Sequence, residues 1–342
     1  NLIKIKTNMI QDTHISLAHG NGGRLMRELI EELFAKHLQH PQLDIQTDAA
    51  VLNWTADNVV ITTDGFTVQP LEFPNSNIGA LAVHGTCNDL AVSGATPRYL
   101  TLNVFIEEGF EVAQLERIIK SLAQAAQEIN VAVVAGDTKV VQRGQGGGVY
   151  LATTGIGVRE TQQTLGLKQI QQGDAILVSG AVGNHGIAVM LAREQFGLRG
   201  DLASDAAHVL PLTQGLLALS GLRFMRDPTR GGLATVAHEI AQATGYCIRL
   251  QQTQIPIEDP VQSVCDILGY DPLYLACEGR VVAVIAQEDA QQALQIWRDL
   301  GQHNAQIIGQ VQTGKPRVIL ETELGGERLL DELEDDPLPR IC

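Results

Sequence analysis

The chain has 342 residues, of which 44% are hydrophobic and 18% charged, a balance typical of a globular protein with room for about two domains. The formal net charge is -15 and aromatic residues make up 4%, so we expect no nucleic-acid surface, which needs a basic footprint. No apolar stretch approaches the roughly 20 residues of a membrane helix, and no signal segment opens the chain. We therefore expect a cytoplasmic protein without a membrane partner.

The five cysteines are widely spaced and contain no Cys-x-x-Cys pair. They are Cys87, Cys247, Cys265, Cys277 and Cys342. Their odd number and spacing predict neither a disulfide framework nor a zinc site. A reducing compartment fits this pattern best.

The last twelve residues form an acidic segment that ends in a thiol. Five of the six residues from Asp331 to Asp336 are acidic, and Pro337 and Pro339 favour an extended backbone. We expect an arm that moves, and that can carry Cys342 to a partner's active site and back. Taken alone, the segment is explained at least as well by a disordered tail that ends in cysteine by chance.

Glycine-rich motifs precede predicted helices at two places. Residues 19–24 read His-Gly-Asn-Gly-Gly-Arg and run into a helical pattern, and residues 226–232 read Arg-Asp-Pro-Thr-Arg-Gly-Gly before a helix over 233–243. Backbone N–H groups at a helix start, with arginines beside them, suit a phosphate. A flexible capped turn at the first motif and a salt-bridged turn at the second are the alternative interpretations.

Acidic residues stand at comparable places in separate segments of the first half. Strands over 59–63 and 131–135 are predicted to end at Asp64 and Asp137, and Asp89 lies on the apolar side of a helix that Asn77 caps. A buried carboxylate costs several kcal/mol unless it is paired or binds a metal. Together with Asp48, these side chains favour Mg²⁺ carried with phosphates, and ordinary turns, cap bonds and salt bridges are the alternatives.

The remaining periodic segments complete an alternation of helices and strands. The predictions are a helix over 111–129, a glycine loop over 144–148, a strand over 149–155, a domain boundary within 157–168, a strand over 174–180, a turn over 183–186 that leads into a helix through Leu191, a strand over 281–285, a helix over 288–300, and strands over 306–311 and 317–320. His185 is interpreted as a structural residue at a helix start. Gly325 and Gly326 are expected to release the tail from the second domain.

Seven motifs together resemble the HypE family of hydrogenase maturation factors, nearly end to end. They are Ala18–Gly23, Thr62–Phe66, Gly85–Leu90, Ala135–Lys139, Arg226–Gly232, Ala276–Gly279 and Pro339–Cys342. Several of them are shared across the superfamily of aminoimidazole ribonucleotide (AIR) synthetase, or PurM, and selenophosphate synthetase. The terminal Pro-Arg-x-Cys is specific to HypE, and it favours a working tail over a chance one.

The resemblance implies an α/β (α+β) fold with two PurM-like domains and a flexible tail. We place the N-terminal domain at 1–160, the C-terminal domain at 168–322 and the tail at 323–342. A homodimer formed by the N-terminal domains is implied, with the carbamoyltransferase HypF and the iron-scaffold proteins HypC and HypD as partners. The implied activity is that of a carbamoyl dehydratase, which uses ATP to convert an S-carbamoyl group on Cys342 into a thiocyanate.

The resemblance also implies roles for individual residues. The catalytic ones are Cys342 as the carrier, with Lys139 and Glu278 as bases near the amide nitrogen. The residues implied in ATP binding are Gly20, Asn21, Gly22, Gly23, Asp64, Asn88, Asp137, Arg226, Asp227 and Arg230. The implied ligands of Mg²⁺ are Asp48, Asp64, Asp89, Asp137 and Asp227.

Two other functions are weighed against this one. Selenophosphate synthesis calls for Cys or selenocysteine near the first glycine motif, and residues 14–24 contain neither. A scaffold that displays the tail without catalysis would not need the acidic, lysine and glutamate residues that the family motifs place here. One departure from the family pattern is Asn75-Ser76-Asn77 in place of a glycine-rich turn, and Asn tolerates the positive φ that such a turn needs.

Overall fold

The structure is a computed structural model. It describes residues 12–20, 24–41, 43, 58–160, 164–193, 201–333, 338, 341 and 342. Four of the predicted site residues, Asn21, Gly22, Gly23 and Asp48, lie outside these ranges. None of the described helices is long and apolar enough to cross a membrane.

The first half is a four-stranded sheet covered on one face by two helices. Its elements are α1 (Arg24–Leu29, continued by a π-helical turn Ile30–Ala35), β1 (Val59–Phe66), β2 (Glu72–Phe73), β3 (Ser76–Asn77), α2 (Ile78–Val92), β4 (Thr96–Glu107), α3 (Val112–Ile129), β5 (Ala132–Val141) and β6 (Val149–Val158). The strand order is β1-β6-β4-β5, with only β4 and β5 parallel. Helices α2 and α3 bury their apolar side chains against one face of the sheet, and the other face carries the exposed Ile61 and Phe105.

The predicted cap of α2 is confirmed. The side chain of Asn77 accepts hydrogen bonds from the N–H groups of Gly79 (2.9 Å) and Ala80 (3.2 Å), which have no partner within the helix. The helix ends just before Gly94, whose φ of 78° is the left-handed conformation that follows many helices. Asn75, in the departure from the family pattern, has a φ of 73°, as its tolerance of that conformation allows.

The predicted strand ends at Asp64 and Asp137 are wrong. Strand β1 continues to Phe66 and β5 to Val141, so both acids lie inside strands. The apolar runs end early, because no helix among the described residues covers one face of this sheet, and the strands continue there as alternating polar and apolar residues. Strand β4, twelve residues long, was not predicted from the sequence.

The second half is a seven-stranded sheet between layers of helices. Its elements are β7 (Ala175–Val178), α4 (Asn184–Ala192), α5 (Leu210–Leu216), β8 (Leu222–Arg226), α6 (Gly232–Thr244), β9 (Cys247–Gln251), α7 (Asp259–Leu268), β10 (Val282–Ile285), α8 (Ala290–Asp299), β11 (Gln306–Gln312), β12 (Arg317–Glu321) and β13 (Glu327–Leu330). The order is β13-β12-β9-β11-β7-β10-β8. Helix α6 packs on one face and α5 and α8 on the other, while α4 and α7 join the core of the first half.

The sheet continues past the tail boundary expected at residue 322. Strand β13 pairs antiparallel with β12, from Glu321 opposite Glu327 to Val318 opposite Leu330. A bond from the Thr322 N–H to the Gly326 carbonyl (2.9 Å) closes the hairpin. The two glycines of this turn therefore return the chain to the sheet, and the acidic segment begins after Leu330.

Candidate functional site

Four carboxylates from both halves of the chain lie near one another, in a region called the cleft below. Asp64 comes from β1 and Asp89 from α2, while Asp227 follows β8 and Glu278 precedes β10. Burial raises the pKa of Asp227 to about 7, and the charges of Asp89 and Asp64 add to the effect. Burial also raises the pKa of Glu278 well above its usual value, with contributions from the charges of Asp227, Asp205, Asp64 and Asp89. Such mutual effects require the four groups to be close neighbours.

The strand and the helix of the first half fix the positions of its two aspartates. Thr62 donates its hydroxyl hydrogen to Asp89 (2.9 Å), which ties β1 to α2. The carboxylate of Asp64 lies over Gly85 of α2, where a Cβ would come within 2.8 Å of the Phe66 ring. Glycine at this position therefore lets the strand and the helix approach closely enough to share the cleft.

Glu278 is held by its backbone and leaves part of its side chain unpaired. Its N–H donates to Asp205 (3.2 Å), and its carbonyl accepts from the Asn88 side chain (3.3 Å). Its Oε1 atom is buried without a hydrogen-bond partner among the described residues. An unpaired carboxylate oxygen in a buried site is costly, so this atom is available to a proton, a cation or a substrate N–H group.

The C-terminal thiol lies in the same cleft. The Sγ atom of Cys342 is 3.5 Å from the Nη2 atom of Arg230. The pKa of this thiol is raised to about 12, chiefly by burial and next by the charge of Glu278, while Arg230 acts in the opposite direction. In this position the sulfur is a neutral thiol, next to the carboxylates rather than exposed to solvent.

Main-chain hydrogen bonds hold the last two residues. The carbonyl oxygen of Cys342 accepts from the N–H (3.0 Å) and the hydroxyl (3.2 Å) of Thr67, and that of Ile341 lies 2.7 Å from Nε2 of His185. The side chains of Ile341 and Leu338 are buried in the core shared by the two halves. The arm expected from the sequence thus ends in a defined docking position.

His185 has a function that the sequence did not indicate. Because the Ile341 carbonyl can only accept, Nε2 of His185 carries the hydrogen, and Nδ1 accepts from the hydroxyl of Ser204 (2.8 Å). Ser204 in turn accepts from the N–H of Ala206 (3.0 Å). A histidine followed by glycine at a helix start carried no signal for this contact, which depends on a residue 156 positions later.

The two arginines of the 226–232 motif lie beside the acids. The positive charge of Arg226 lowers the pKa of Asp89 against the larger effect of burial, and Arg226 also pairs with Glu239 (3.3 Å). Arg230 reaches Cys342, as described above. The motif therefore lines the cleft with cations as well as with Asp227.

Asp137 and Lys139 lie elsewhere in this chain. They form an ion pair of 2.7 Å on β5 with more than half of each side chain exposed. Residues opposite Asp64 across the sheet are Thr153, Leu102 and Gly136 in turn, so three strand spacings, roughly 14 Å, separate β1 from β5. Alternation from Gly136 also turns Asp137 and Lys139 to the opposite face of the sheet.

The carboxylates of the cleft suit Mg²⁺ only if phosphate oxygens and waters complete its coordination shell. Among the described residues, no three His, Cys, Asp or Glu side chains form a group that could hold a metal ion by themselves. Mg²⁺ usually keeps several waters and takes one or two protein carboxylates together with phosphate oxygens. The unpaired oxygen of Glu278 and the raised pKa values of Asp64 and Asp227 fit a cation of this kind.

Gly20 ends a short 3₁₀ helix, Leu17–Gly20, and Asp48 lies outside the described residues.

Comparison with known proteins identifies the family. Residues 46–159 match the family "AIR synthase related protein, N-terminal domain" and residues 171–321 match its C-terminal counterpart. The carbamoyl dehydratase HypE of Azotobacter vinelandii is 43% identical over 336 residues, which make up 97% of this chain and 98% of that protein. The chain belongs to the HypE family. The resemblance drawn from the seven motifs and the two-domain PurM-like fold are both confirmed.

Solved HypE structures share the same overall arrangement. Hydrogenase maturation protein HypE in complex with ATP is 40% identical and has a TM-score of 0.91, covering 96% of this chain and 99% of that one. A HypE chain from a HypE–HypF complex is 41% identical with a TM-score of 0.79, covering 89% and 99%. These relatives favour an ATP-dependent dehydratase over selenophosphate synthesis or a scaffold.

Proposed function

We propose that this chain uses ATP to dehydrate a carbamoyl group carried on Cys342, and that the resulting thiocyanate supplies the cyanide ligands of the [NiFe]-hydrogenase iron. One observation carries the proposal: the terminal sulfur docks 3.5 Å from Arg230, in a cleft made by acids of both domains. The names of the HypE relatives and the ATP-bound HypE structure support the same reaction.

The dehydration proceeds in two steps. The carbonyl oxygen of the S–C(=O)–NH₂ group attacks the γ-phosphorus of ATP, and ADP leaves. A base takes one N–H proton, the other leaves with the phosphorylated oxygen as hydrogen phosphate, and S–C≡N remains on Cys342. An amide oxygen is a poor leaving group and phosphate is a good one, so phosphorylation divides one difficult dehydration into two easier steps.

Glu278 is the proposed base for the amide protons. After burial, its charge has the largest effect on the pKa of the Cys342 thiol, and its Oε1 atom has no hydrogen-bond partner among the described residues. Its raised pKa gives it a proton affinity matched to a weakly acidic N–H group. Asn88, which bonds the Glu278 carbonyl, would keep this carboxylate in register with the docked tail.

Asp64, Asp89 and Asp227 are the proposed protein ligands for Mg²⁺, which when bound would neutralise phosphate charge. Arg226 and Arg230 are proposed to orient the phosphates of ATP, because guanidinium groups match phosphate geometry. The protein's part is to hold these groups before substrate arrives, so that little reorganisation is needed during the reaction.

The position of Lys139 leads us to propose a homodimer whose sites are shared. Lys139 and Asp137 lie on the sheet face that none of the described helices covers, together with Ile61, which is 64% exposed, and Phe105, which is 41% exposed. Two such faces packed together would cover these apolar side chains. Lys139 would then act on the cleft of the partner subunit, since it is turned away from the cleft of its own chain.

Subunit mixing tests this arrangement. Lys139→Ala and Glu278→Gln are each expected to be inactive. An equimolar mixture of the two variants is expected to recover roughly a quarter of the wild-type activity, because half of its dimers are mixed and each mixed dimer has one intact site of two. Recovery would be absent if both residues served the same chain's cleft. An Ile61→Asp variant, measured by light scattering, is expected to be monomeric and inactive.

HypF is the proposed source of the carbamoyl group, in line with the solved HypE–HypF complex. Loading requires the thiol to leave the cleft, because Cys342 is largely buried when docked. HypC and HypD are the proposed acceptors of the cyanide.

The domain division at 160 and 168 is kept in this proposal, supported by the ranges that the two family domains match.

Mass spectrometry of the C-terminal peptide is the direct test of the reaction. Protein carbamoylated by HypF should lose the mass of one water at Cys342 when Mg²⁺ and ATP are added. Cys342→Ala should show no such change and Cys247→Ala, which alters a buried cysteine of the second sheet, should behave as wild type. A carbamoylated peptide that keeps its mass through complete ATP hydrolysis would refute the proposal.

A further inference from the structure

The docking site of the tail bonds main-chain atoms of the last two residues. By docking site we mean Thr67, His185 and Arg230, with the apolar surface beside them. Thr67 donates its N–H and its hydroxyl hydrogen to one oxygen of the terminal carboxylate of Cys342, at 3.0 and 3.2 Å, and His185 donates to the Ile341 carbonyl at 2.7 Å. Any peptide carries such main-chain oxygens, so these bonds do not require that the ligand be part of this chain.

Two aliphatic side chains of the tail fill apolar positions of the same site. Ile341 and Leu338 are 3% and 5% exposed and belong to a core cluster built from both domains. Leu338 lies over Gly186 of α4, where an added Cβ would be 3.7 Å from its Cδ1 atom. Apolar side chains that enter pockets give a peptide site its specificity, and main-chain bonds add affinity. With the sulfur 3.5 Å from Arg230, the site therefore selects the sequence Leu-x-x-Ile-Cys.

Bonds within the body of the protein hold the donors of the docking site in place. The ring of His185 meets the ring of Phe73 edge to face, with centroids 5.4 Å apart, and bonds Ser204 at 2.8 Å. The N–H of Ser204 donates to the Pro74 carbonyl at 3.1 Å. Thr67 directly follows β1, which pairs with β6 along its whole length. None of these contacts involves the tail, and donors held in this way lose little freedom when a ligand binds.

We propose that the docking site is a receptor for peptides that end in Leu-x-x-Ile-Cys, and that it takes such a peptide as a substrate when the peptide is not attached to the chain. The tail of a second copy is one ligand of this class. Attachment to the second domain raises the frequency of docking but supplies none of the bonds described above.

Use of the free peptide as a substrate rests on the proposed function, whereas its binding does not. The chemistry is that of the attached tail. The carbonyl oxygen of the S-carbamoyl peptide attacks the γ-phosphorus of ATP and ADP leaves. A base then takes one N–H proton, the other leaves with the phosphorylated oxygen as hydrogen phosphate, and the peptide keeps S–C≡N.

Binding is tested in the full-length Ile341→Asp variant. An aspartate in the apolar position has no partner, so the variant's own tail should be released, and Cys342 should then be alkylated as fast as a free thiol. A fluorescent peptide of residues 336–342 is titrated without ATP and followed by polarisation. Its Kd should lie below about 1 mM, because a tail held more weakly would be mostly released even with its tether. The same peptide with aspartate in place of isoleucine should bind at least roughly tenfold more weakly.

Three further substitutions in this variant locate the bound peptide. Thr67→Val removes the hydroxyl and His185→Phe removes the ring N–H, so each should weaken binding by roughly fivefold. His238→Phe, which removes a bond to the Leu330 carbonyl in the β12–β13 hairpin, should leave the affinity unchanged. No saturable binding at 1 mM, equal affinity in all three proteins, or slow alkylation of Cys342 in the Ile341→Asp variant would each overturn the proposal.

The substrate arm uses the S-carbamoyl form of the peptide with Mg²⁺ and ATP. Its mass should fall by one water in the presence of the Ile341→Asp variant. If wild-type protein dehydrates its own carbamoylated tail while the variant leaves the free peptide unchanged, this inference is wrong and the proposed function stands. If the peptide binds but neither the tail nor the peptide loses water, the proposed function is wrong and the receptor remains.

Discussion

Replacing His185 by phenylalanine is expected to release the C-terminal thiol from the cleft. The imidazole is fully buried and donates to the Ile341 carbonyl at 2.7 Å, and phenylalanine keeps a somewhat larger aromatic ring at this position while removing that donor. Loss of this hydrogen bond, with the carbonyl left unpaired in the docked state, costs about 1–2 kcal/mol. The docking equilibrium should therefore shift toward the released tail by roughly 5- to 30-fold.

Alkylation of Cys342 measures this shift. The docked thiol is only partly exposed and its pKa is raised to about 12, so reaction with iodoacetamide proceeds mainly through the released state, and the rate reports the released fraction. The rate at Cys342, followed by mass spectrometry of the C-terminal peptide, should rise by the same 5- to 30-fold. His238→Phe is the matched control, because it removes a 2.9 Å bond to the Leu330 carbonyl in the β12–β13 hairpin. A native His185→Phe protein whose Cys342 reacts no faster than wild type would refute the docking account.

Four further predictions concern stability and binding. Burial raises the pKa of Asp227 from 3.8 to about 7, so the folded state favours the protonated side chain. The free energy of unfolding is therefore highest below pH 4 and falls as pH rises to 7, and Asp227→Asn should be more stable than wild type at pH 8 in EDTA by up to about 4 kcal/mol. Equal melting temperatures would contradict this. Asn77→Ala removes the α2 cap and should cost about 1 kcal/mol in urea unfolding; an unchanged midpoint would show that the cap bonds contribute nothing. One residue added after Cys342 should abolish dehydration, because Thr67 holds the last carbonyl and an extra residue displaces the sulfur; normal turnover in the mass assay would rule out this docking geometry. Asp89→Asn should weaken Mg²⁺-dependent ATP binding by roughly tenfold in calorimetry, and unchanged affinity would remove Asp89 from the site.

Local signals in the sequence predicted local structure well. Asn77 followed by apolar residues predicted the cap and the course of α2, because a side chain that bonds N–H groups two and three residues later is a short-range interaction. The helix expected over 111–129 is also confirmed as Val112–Ile129. Strands β8 and β9 were missed because they are only five residues long and bear an arginine within or at the end of the strand.

The sequence predicted individual residues of the site, but not which of them lie close together in the fold. The 226–232 motif and Asp89 stood out as polar groups next to helices, but only the fold brings Asp227 and Glu278 against the aspartates of the first domain. The same limit applies to Lys139: the motif marked the residue, and sheet register alone turns it to the opposite face. His185 carried no pattern, because its contact with the tail lies on a distant segment.

The anchoring of the tail at its near end sets how far the sulfur can travel. The Tyr274 hydroxyl donates to the Asp331 carbonyl at 2.6 Å, so the segment that carries the thiol is anchored at residue 331, eleven residues before Cys342. A chain of this length reaches at most about 36–40 Å. A thiol confined to such a sphere stays at a local concentration on the order of millimolar. Return of the loaded sulfur to its own cleft is thus an intramolecular event, and its probability does not depend on how dilute the enzyme is in the cell.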